Sequence, residues 1–329
     1  MIAAATRPTV VVTRRLPAAV ERRRARDYAA RLNRSPGDDS PGAEEILALA
    51  AEADAILCTT AERFERALIE RLPARVRLIA TYSVGYDHID LAAAAARGIV
   101  VTNTPDVLSE ATADVAWLCL LGASRRATEG DRMIRDGRWG RWSAVAFLGT
   151  GLQGKTLGIV GLGRIGGAVA RRAIPFGLTV VYHNPKPAAD AAAIPAAYEP
   201  SFDRLLARSH FLSLHAPANA ATRKMVNAVT LAKLPKGAIV INTARGGLID
   251  DDALIAALKS GHIAAAGLDV FEGEPAINPG YLALPNVFLL PHIGSATIET
   301  REAMGHRAVD NLDAFFAGET LRDAVKGQR

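Results

Sequence analysis

Four polar side chains stand where three apolar segments in the second half of the chain end. Arg245 follows "AIVINTA", Asp269 and Glu274 lie in "GLDVFEGEP", and His292 follows "VFLLP". A guanidinium can bind a carboxylate through two hydrogen bonds and polarise a neighbouring carbonyl. A histidine hydrogen-bonded to a carboxylate is held in one orientation and can carry a proton near neutral pH. These residue types predict proton and hydride chemistry.

Each of these residues taken alone has a simpler interpretation. A lone charged residue is more often part of a surface salt bridge, and a lone histidine is more often a hydrogen-bonded core residue. Ligands of open α/β sheets, however, bind at the carboxyl ends of the strands. Because Arg245, Glu274 and His292 follow three strand candidates of one sheet, an active site is favoured over unrelated structural roles.

The elements that would position these side chains are short apolar runs separated by helical stretches. Six strand candidates follow Lys155, at 156–163, 178–183, 210–217, 238–244, 264–271 and 287–294. Six such strands make a full Rossmann-type sheet.

The first third of the chain alternates in the same way. Its strand candidates are 9–13, 55–59, 76–82 and 98–103, with helices expected at 43–53 and 88–98. Alternation of this kind predicts βαβ units. The fold class expected is therefore α/β, with two Rossmann-like doubly wound parallel-sheet domains.

Four further segments flank or join the two sheets. Residues 14–34 predict a helix with arginines along a solvated face, and 109–137 predict one long helix that joins the domains. An arm with little periodicity follows at 138–154, and 297–318 predict an amphipathic helix that returns to the first domain.

A glycine-rich turn follows the first strand of the second sheet. In "GLGRIGGAVARRA", Gly161, Gly163 and Gly166 have the G-x-G-x-x-G spacing, with Arg164 and Ile165 between them. The first glycine permits a tight turn, the second lets the backbone approach a pyrophosphate, and the third allows close helix–sheet packing. Such a turn also arises for packing alone, but a strand before it and a helix and strand after it predict dinucleotide binding.

The cofactor preference depends on "VVYHNPKP", at the end of the next strand. NAD sites usually have an acidic residue here, which bonds the ribose 2′-hydroxyl and repels a 2′-phosphate. Asn184 cannot repel a phosphate, while Lys186 and Arg164 can pair with one. NADP(H) is therefore favoured over NAD(H). The alternative is that Asn184 only bonds the ribose and Lys186 is solvated.

Composition excludes several classes of protein. The chain has 329 residues, 50% of them hydrophobic, and a net charge of +5, which is typical of a globular protein with two domains. The arginine-rich stretch 14–34 lacks interleaved aromatic residues and any helix-turn-helix or zinc pattern, so we expect no nucleic-acid partner and no metal site.

Location is predicted from what the sequence lacks and from its cysteines. The longest uncharged apolar run, 115–123, is too short for a membrane span, which needs about 20 residues. The N-terminus shows no leader pattern, so no signal peptide is expected. Cys58 and Cys119 lie in apolar surroundings, which indicates buried free thiols and a cytoplasmic protein.

Four motifs together resemble one family. The segments "GLGRIG", "NTARGGLID", "GLDVFEGEP" and "PHIGSAT", in this order, are similar to those of the D-isomer-specific 2-hydroxyacid dehydrogenases, and the likeness runs from "TYSVGYDHIDL" to the C-terminal helix. Within the family, "SVGYDHID", "GRWGRW" and "YHN" most resemble the glyoxylate/hydroxypyruvate reductases. The resemblance implies a reductase of small 2-oxoacids that yields D-2-hydroxyacids by hydride transfer, and Asn184 with Lys186 favours NADPH as its cofactor.

The resemblance also implies a domain organisation. A flavodoxin-like substrate-binding domain, 1–108 plus 296–329, would be split around an NAD(P)-binding Rossmann domain, 109–295. An arm at about 125–154 would make a homodimer through the nucleotide-binding domains.

Residue roles follow from the resemblance by position. The backbone of Val84 and Gly85 would bind the substrate carboxylate together with Arg245. His292 would protonate the carbonyl oxygen, and Glu274 would pair with His292. The cofactor would be bound by the glycine turn, Gly161 to Gly166, and by a further set: Asn184, Lys186, Pro217, Thr222, Thr243, Ala244, Asp269 and Gly294.

Two tryptophans of the arm, Trp139 and Trp142, also match the family's pattern. The resemblance implies that Trp142 closes the substrate pocket of a neighbouring subunit, with plain core or interface packing as the alternative. One departure is "HAPANAAT" at 215–222, where members often have H-x-P-L-T-x-E-T. It removes a polar start from the expected next helix, although Thr222 remains.

Other functions stay open on the sequence alone. They are an NAD-dependent D-2-hydroxyacid dehydrogenase, a D-3-phosphoglycerate dehydrogenase, and a corepressor that binds NAD(H) without catalysis. Long forms of the second carry a regulatory domain that has no counterpart here, and the third would need peptide-binding surfaces or tails. Formate dehydrogenase is disfavoured because that branch is expected to have Gln where Glu274 stands.

Overall fold

The computed structural model describes residues 7–33, 35–188 and 194–325. The chain divides into two compact units, one formed by Met1–Leu108 with Ala296–Arg329 and the other by Ser109–Ser295. Residues 1–6, where no signal peptide is expected, lie outside the described residues. So does Arg34, the last residue of the arginine-rich stretch.

The first unit is built on a parallel five-stranded sheet. Its elements before the crossover are β1 (Thr9–Val12), α1 (Ala18–Asp27), β2 (Ala29–Leu32), α2 (Ala43–Ala50), β3 (Ala55–Cys58), α3 (Arg66–Ile69), β4 (Leu78–Thr81), α4 (Leu91–Ala96) and β5 (Val100–Thr102). The strand order is β2-β1-β3-β4-β5, and every pairing is parallel. Every residue of β3 and β4 is buried, as expected for parallel strands covered on both faces.

The helix predicted over 14–34 is wrong in its second half. Helix α1 ends at Asp27 because Tyr28 takes an extended conformation, and Ala29–Leu32 then form the edge strand β2. The solvated arginine face is also partly wrong. Arg24 is buried beside Glu21, and Arg23 pairs with two aspartates of the C-terminal helix, Asp310 and Asp313.

The second unit contains a parallel seven-stranded sheet. Its elements are α5 (Ser109–Ser124), α6 (Ala127–Arg135), β6 (Thr156–Val160), α7 (Arg164–Ala173), β7 (Thr179–His183), β8 (Ala197–Tyr198), α8 (Phe202–Arg208), β9 (Phe211–Leu214), α9 (Ala228–Leu231), β10 (Ala238–Asn242), α10 (Asp251–Lys259), β11 (Ile263–Leu268) and β12 (Val287–Leu289). The order β12-β11-β10-β9-β6-β7-β8 is doubly wound, with its topological switch between β6 and β9. Ligands of such sheets bind at the carboxyl edge near that switch.

The single long helix expected over 109–137 is two helices. Arg126 has a left-handed backbone, with φ of +55°, and the Ser124 carbonyl accepts a hydrogen bond from the Thr150 amide at 2.8 Å. The Arg126 guanidinium pairs with Glu129 and lies 4.4 Å from the centre of the Phe147 ring. These contacts stop α5 and attach the following arm to α6.

Helix α5 packs closely on the sheet because glycine faces it. A Cβ on Gly267 of β11 would lie 2.5 Å from the Cys119 carbonyl oxygen, and one on Gly122 would lie 2.7 Å from the Phe288 ring. Apolar clusters cover both faces of the sheet.

Helix α11 (Ile298–Ala317) belongs to the first unit, where it packs on α1 and β4. Thr297 caps its first turn by accepting from the Thr300 amide. Across the described ranges, no helix is both long enough and apolar enough to cross a membrane. The predicted fold class, two parallel α/β sheets of Rossmann-like form, is confirmed.

Candidate active site

The glycine turn of the second unit has the shape that a dinucleotide needs. Gly161 has a φ of +97°, and a Cβ there would lie 2.7 Å from the backbone of His215 and Ala216. A Cβ on Gly166 would lie 2.3 Å from the Gly161 carbonyl oxygen, whereas one on Gly163 would meet nothing within 4 Å. Since Gly163 precedes α7 without a side-chain cap, the start of the helix suits an anion.

The Asn184 side chain is hydrogen-bonded to this turn. Its Oδ1 accepts a hydrogen bond from the Leu162 amide at 2.7 Å, and the Tyr198 hydroxyl donates to its carbonyl at 3.2 Å. The side chain therefore holds the glycine turn against the end of β7. Neither role considered from the sequence, ribose binding or tolerance of a phosphate, included this contact.

Two cations and one hydroxyl near the strand ends fit a dinucleotide. Lys186 and Arg164 are exposed. Thr243, just after β10, is buried, and its Oγ1 has no hydrogen-bond partner among the described residues. A buried hydroxyl without a partner is costly, so a polar ligand at this position would satisfy it.

Pro217 and Thr222 belong to a turn instead of the helix that was expected after β9. The Thr222 hydroxyl donates to the Pro217 carbonyl at 2.7 Å. The Asn219 amide donates to the Thr222 hydroxyl, and the Thr222 amide donates to Asn219 Oδ1. Asn219 thus supplies the polar group that the departure from the family pattern had seemed to remove, and the next helix begins only at Ala228.

The turn after β10 fixes the backbone of Arg245. Asn242, fully buried, accepts from the Ala244 amide at 3.0 Å and donates to the Arg245 carbonyl at 2.8 Å. The Arg245 guanidinium donates to the Ala244 carbonyl at 2.8 Å. Its positive charge also helps to lower the pKa of Glu274, after the larger effects of His292 and the Phe271 amide.

Glu274 and His292 form a hydrogen-bonded pair. Glu274 Oε1 bonds His292 Nδ1, and Oε2 accepts from the Phe271 amide at 3.1 Å. Partial burial opposes ionisation of Glu274, but the hydrogen bond and charge of His292 outweigh it and lower the pKa. Because Nδ1 is engaged, Nε2 is the ring atom left to donate a proton, and within the described ranges it has no partner.

Asp269 holds the loop that carries His292. Its carboxylate accepts from the Ile293 amide at 2.7 Å and from the Gly294 amide at 2.8 Å. His292 has a left-handed backbone, with φ of +53°, and these two bonds keep the loop in that shape. Burial raises the pKa of Asp269 despite both bonds. Asp269 thus contacts the His292 loop, a role that the sequence did not predict.

The loop at Val84 and Gly85 in the first unit presents its backbone. Asn103 Nδ2 donates to the Val84 carbonyl at 2.8 Å, and the Ser83 hydroxyl donates to the Gly85 carbonyl at 2.5 Å. Among the residues that the structure describes, the amides of Val84 and Gly85 have no acceptor. Amides in this condition suit an anion.

Trp139 and Trp142 are exposed in the isolated chain, at 73% and 87%. They lie in the arm beside other exposed apolar side chains: Ile134, Val145 and Leu148. No group of histidine, cysteine or acidic residues within the described ranges could hold a metal ion.

Sequence reasoning missed the residues that hold the loops in place. Ser83, Asn103 and Asn242 bond main-chain carbonyls, and a polar residue in that role has no distinctive type or spacing. The one available signal was position, since Asn103 and Asn242 each lie at the carboxyl end of a strand.

Comparisons with known proteins agree with this geometry. A family model described as the NAD binding domain of D-isomer specific 2-hydroxyacid dehydrogenase matches residues 117–294. The chain belongs to the D-isomer-specific 2-hydroxyacid dehydrogenase family. The resemblance drawn from the sequence motifs is confirmed, and so is the expected class of enzyme, an NAD(P)-dependent oxidoreductase of D-2-hydroxyacids.

Individual relatives cover nearly the whole chain. Glycerate dehydrogenase from Hyphomicrobium methylovorum is 44% identical over 96% of this chain and 98% of its own length. Glyoxylate reductase from Thermococcus litoralis is 43% identical over 95% of each chain. The solved structure of an NADPH-dependent glyoxylate/hydroxypyruvate reductase from Sinorhizobium meliloti, with NADP and malonate, is 36% identical, covers 98% of this chain and 97% of its own, and has a TM-score of 0.88.

Proposed function

We propose that this member of the family is an NADPH-preferring reductase of small 2-oxoacids, of the glyoxylate/hydroxypyruvate type, that yields D-2-hydroxyacids. The observation that carries the proposal is the Glu274–His292 pair, with the charge of Arg245 close to Glu274. The names of the relatives from Thermococcus litoralis and Sinorhizobium meliloti support the same substrates.

The roles of the chain's own residues follow from their chemistry. Arg245 binds the substrate carboxylate and polarises the adjacent carbonyl. The free amides of Val84 and Gly85 are proposed as further ligands of the carboxylate. When bound, the nicotinamide cofactor supplies a hydride to the carbonyl carbon. His292 donates its Nε2 proton to the carbonyl oxygen, while Glu274 holds Nδ1 and stabilises the protonated ring.

The cofactor site is proposed at the glycine turn and the neighbouring strand ends. Gly163 and the start of α7, with Arg164, Ile165 and Gly166, would hold the pyrophosphate. The proposal also gives cofactor contacts to the residues after β9, β10 and β11: Pro217, Thr222, Thr243, Ala244, Asp269 and Gly294. Both carboxylate oxygens of Asp269 accept from the His292 loop, so a cofactor contact of Asp269 would add to those two bonds.

The preference for NADPH rests on the end of β7. Asn184 carries no charge, and its amide oxygen is engaged by the Leu162 amide, so it does not repel a 2′-phosphate. Lys186 and Arg164 are exposed cations suited to pairing with one.

Asn184→Asp separates charge from turn geometry. The new carboxylate can still accept from the Leu162 amide, but it repels a 2′-phosphate, so we expect the KM for NADPH to rise at least tenfold while that for NADH changes little. Asn184→Leu is the matched control, because it removes the acceptor and should weaken both cofactors alike. If Asn184→Asp affects both cofactors equally, residue 184 does not set the preference.

One experiment tests the function as a whole. Initial rates with glyoxylate, hydroxypyruvate and 2-ketogluconate should be measured, each against NADPH and NADH, with the chirality of the glycerate formed. We expect reduction of at least one of the first two substrates, a D product, and faster rates with NADPH. An advantage of tenfold or more for NADH would overturn the cofactor preference. Absence of oxidation across the panel would favour the non-enzymatic alternative.

A second candidate is oxidation of D-glycerate as the main direction, favoured by the relative from Hyphomicrobium methylovorum, which is named a glycerate dehydrogenase. Rates measured in both directions at neutral pH distinguish the two.

We also propose a homodimer formed through the arm. The exposed apolar side chains of residues 134–148 make a patch of the kind that marks a protein interface, and Trp142 would close a partner's substrate pocket. Sedimentation should give about twice the mass of one chain, and Trp139→Ser with Trp142→Ser should shift it to a monomer. Cytoplasmic location is proposed because Cys58 and Cys119 are free and buried.

A further inference from the structure

Three consecutive carbonyls of the first unit are all bound by the protein itself. The Ser83 carbonyl accepts from the Thr104 amide at 2.8 Å. The Val84 carbonyl accepts from Asn103 Nδ2 at 2.8 Å, and the Gly85 carbonyl accepts from the Ser83 hydroxyl at 2.5 Å. Fixing a carbonyl also fixes its peptide plane and therefore the direction of the next residue's amide. The bonds to the Ser83 and Val84 carbonyls thus set the directions of the Val84 and Gly85 amides, and the bond to the Gly85 carbonyl keeps that oxygen in place beside them.

The hydroxyl chain beneath this loop runs in one direction. Because a carbonyl can only accept, Ser83 uses its single hydroxyl hydrogen on Gly85 and must accept from Thr81, whose Oγ1 is 2.8 Å away. Thr81 then accepts from His88 Nε2, at 3.0 Å. His88, Thr81 and Ser83 are all buried. The chain His88 to Thr81 to Ser83 to Gly85 thus directs the Ser83 hydroxyl toward the Gly85 carbonyl.

The main chain of Asn103 is also hydrogen-bonded on both sides. Its main-chain amide donates to the Asp323 carbonyl at 3.3 Å, and its main-chain carbonyl accepts from Asn311 Nδ2 at 3.0 Å. These bonds fix the backbone from which the Asn103 side chain reaches the Val84 carbonyl. Two separate side chains, Ser83 and Asn103, act on adjacent carbonyls of one loop.

We propose that Ser83 and Asn103 are positioning residues that turn the carbonyls of Val84 and Gly85 away from the substrate, so that the loop offers its amides to the substrate carboxylate. A carbonyl oxygen turned toward the carboxylate would repel it, so both residues act on substrate affinity without touching substrate. This inference rests on the proposed function, since it requires a carboxylate ligand at Val84 and Gly85.

The test compares Ser83→Ala and Asn103→Ala with Asn311→Ala as the matched control. Asn311→Ala removes a buried amide bonded to Asn103 but leaves both loop carbonyls bound. We expect the KM for hydroxypyruvate to rise about five- to tenfold in each of the first two variants, with kcat within threefold and the Kd for NADPH unchanged. The control should keep its KM within twofold.

A purely structural role gives a different result. All three variants would then lose melting temperature and kcat together, without a selective rise in KM, and that result would overturn the inference. A wild-type protein that reduces no 2-oxoacid would instead refute the proposed function itself.

A second measurement needs no variant to fold. Oxalate has carboxylates but no carbonyl to reduce, so it can be bound to the wild-type protein in the presence of NADPH. Hydrogen exchange of the peptide spanning 83–86 should slow when oxalate is added. If oxalate inhibits but exchange in this peptide does not change, the loop does not bind the carboxylate and the inference fails.

Discussion

Two loops of this chain are held through opposite parts of the peptide unit. In the first unit, side chains bind the carbonyls of Val84 and Gly85, and the amides are left open. In the second unit, Asp269 binds the amides of Ile293 and Gly294, and the neighbouring side chain of His292 is left to act. One loop is arranged to offer backbone donors and the other to offer an imidazole. Sequence motifs reveal the second arrangement far more readily than the first.

The largest effect is expected at His292, where the account assigns the proton donor. His292→Asn removes the Nε2 proton, and kcat for reduction should fall about 10²- to 10⁴-fold while the Kd for NADPH stays the same. Stopped-flow hydride transfer and cofactor fluorescence measure the two quantities.

His262→Asn is the control for this change, because that ring is hydrogen-bonded to the Leu231 carbonyl and has no role in the proposed site. Full activity in His292→Asn would show that the second loop does not present a catalytic side chain, and the contrast between the loops would disappear.

Asp269→Asn should lower kcat with little effect on stability. The amide can accept from only one of the two loop amides, so the loop shifts and kcat should fall about 10²-fold, as small displacements of catalytic groups do. Two effects on stability oppose each other. Asparagine removes a buried carboxyl whose pKa burial raises, but it leaves one amide without an acceptor. Melting temperature should therefore change little.

The pH dependence of stability tests whether burial raises the pKa of Asp269. A carboxyl with a raised folded-state pKa favours folding most at pH below its ordinary value of 3.8, and that contribution is lost as pH rises through the folded value. Wild type should lose stability relative to Asp269→Asn as pH rises from 3 through this range. The opposite slope would contradict the burial argument.

Glu274→Gln should change the pH dependence of stability and lower kcat. The pKa of Glu274 is below its ordinary value of 4.5, so the carboxylate's contribution to stability is present above 4.5 and is lost as pH falls through the lower folded value. Glutamine does not titrate, so the difference in melting temperature between wild type and Glu274→Gln should shrink as pH falls below 4.5. Glutamine also lacks the negative charge beside the His292 ring, so kcat for reduction should fall. An unchanged kcat would show that Glu274 is not coupled to the proton donor.

The smallest effect is expected at Lys186, outside both loops. Lys186→Ala should raise the KM for NADPH about twofold to fivefold and leave that for NADH unchanged, because an exposed ion pair contributes about 1 kcal/mol at most. Lys259→Ala, another exposed lysine of the second unit, is the control. Equal losses with both cofactors would remove Lys186 from phosphate recognition.

The strands of the second sheet were predictable because each is a run of apolar residues bounded by turns. All six expected there are present, and the missed seventh, β8, has only two residues. The edge strand β2 was mistaken for helix because "AARL" has no β-branched residue. The helix break at Arg126 could not be predicted from the local sequence. It is caused by contacts with the arm, namely the Thr150 amide and the Phe147 ring.

The candidate site divides in the same way. Arg245, Glu274 and His292 could be proposed from their chemistry and their position after strands. Val84 and Gly85 were predicted from the family resemblance alone, because a binding role of backbone amides cannot be recognised from residue types. Ser83 and Asn103 could not be found at all, because bonding a distant carbonyl requires knowledge of tertiary contacts.

Arg245 offers the most direct test of the central claim, that this chain binds and polarises a 2-oxoacid through a guanidinium after β10. The measurement is kcat/KM for hydroxypyruvate with NADPH in Arg245→Ala, with an unchanged melting temperature and unchanged NADPH binding as proof of intact protein. Arg223→Ala is the control, since that exposed guanidinium pairs with Glu272 at 3.0 Å. We predict a loss of about 10³-fold or more in Arg245→Ala and less than twofold in the control. Activity of Arg245→Ala within tenfold of wild type would contradict the account.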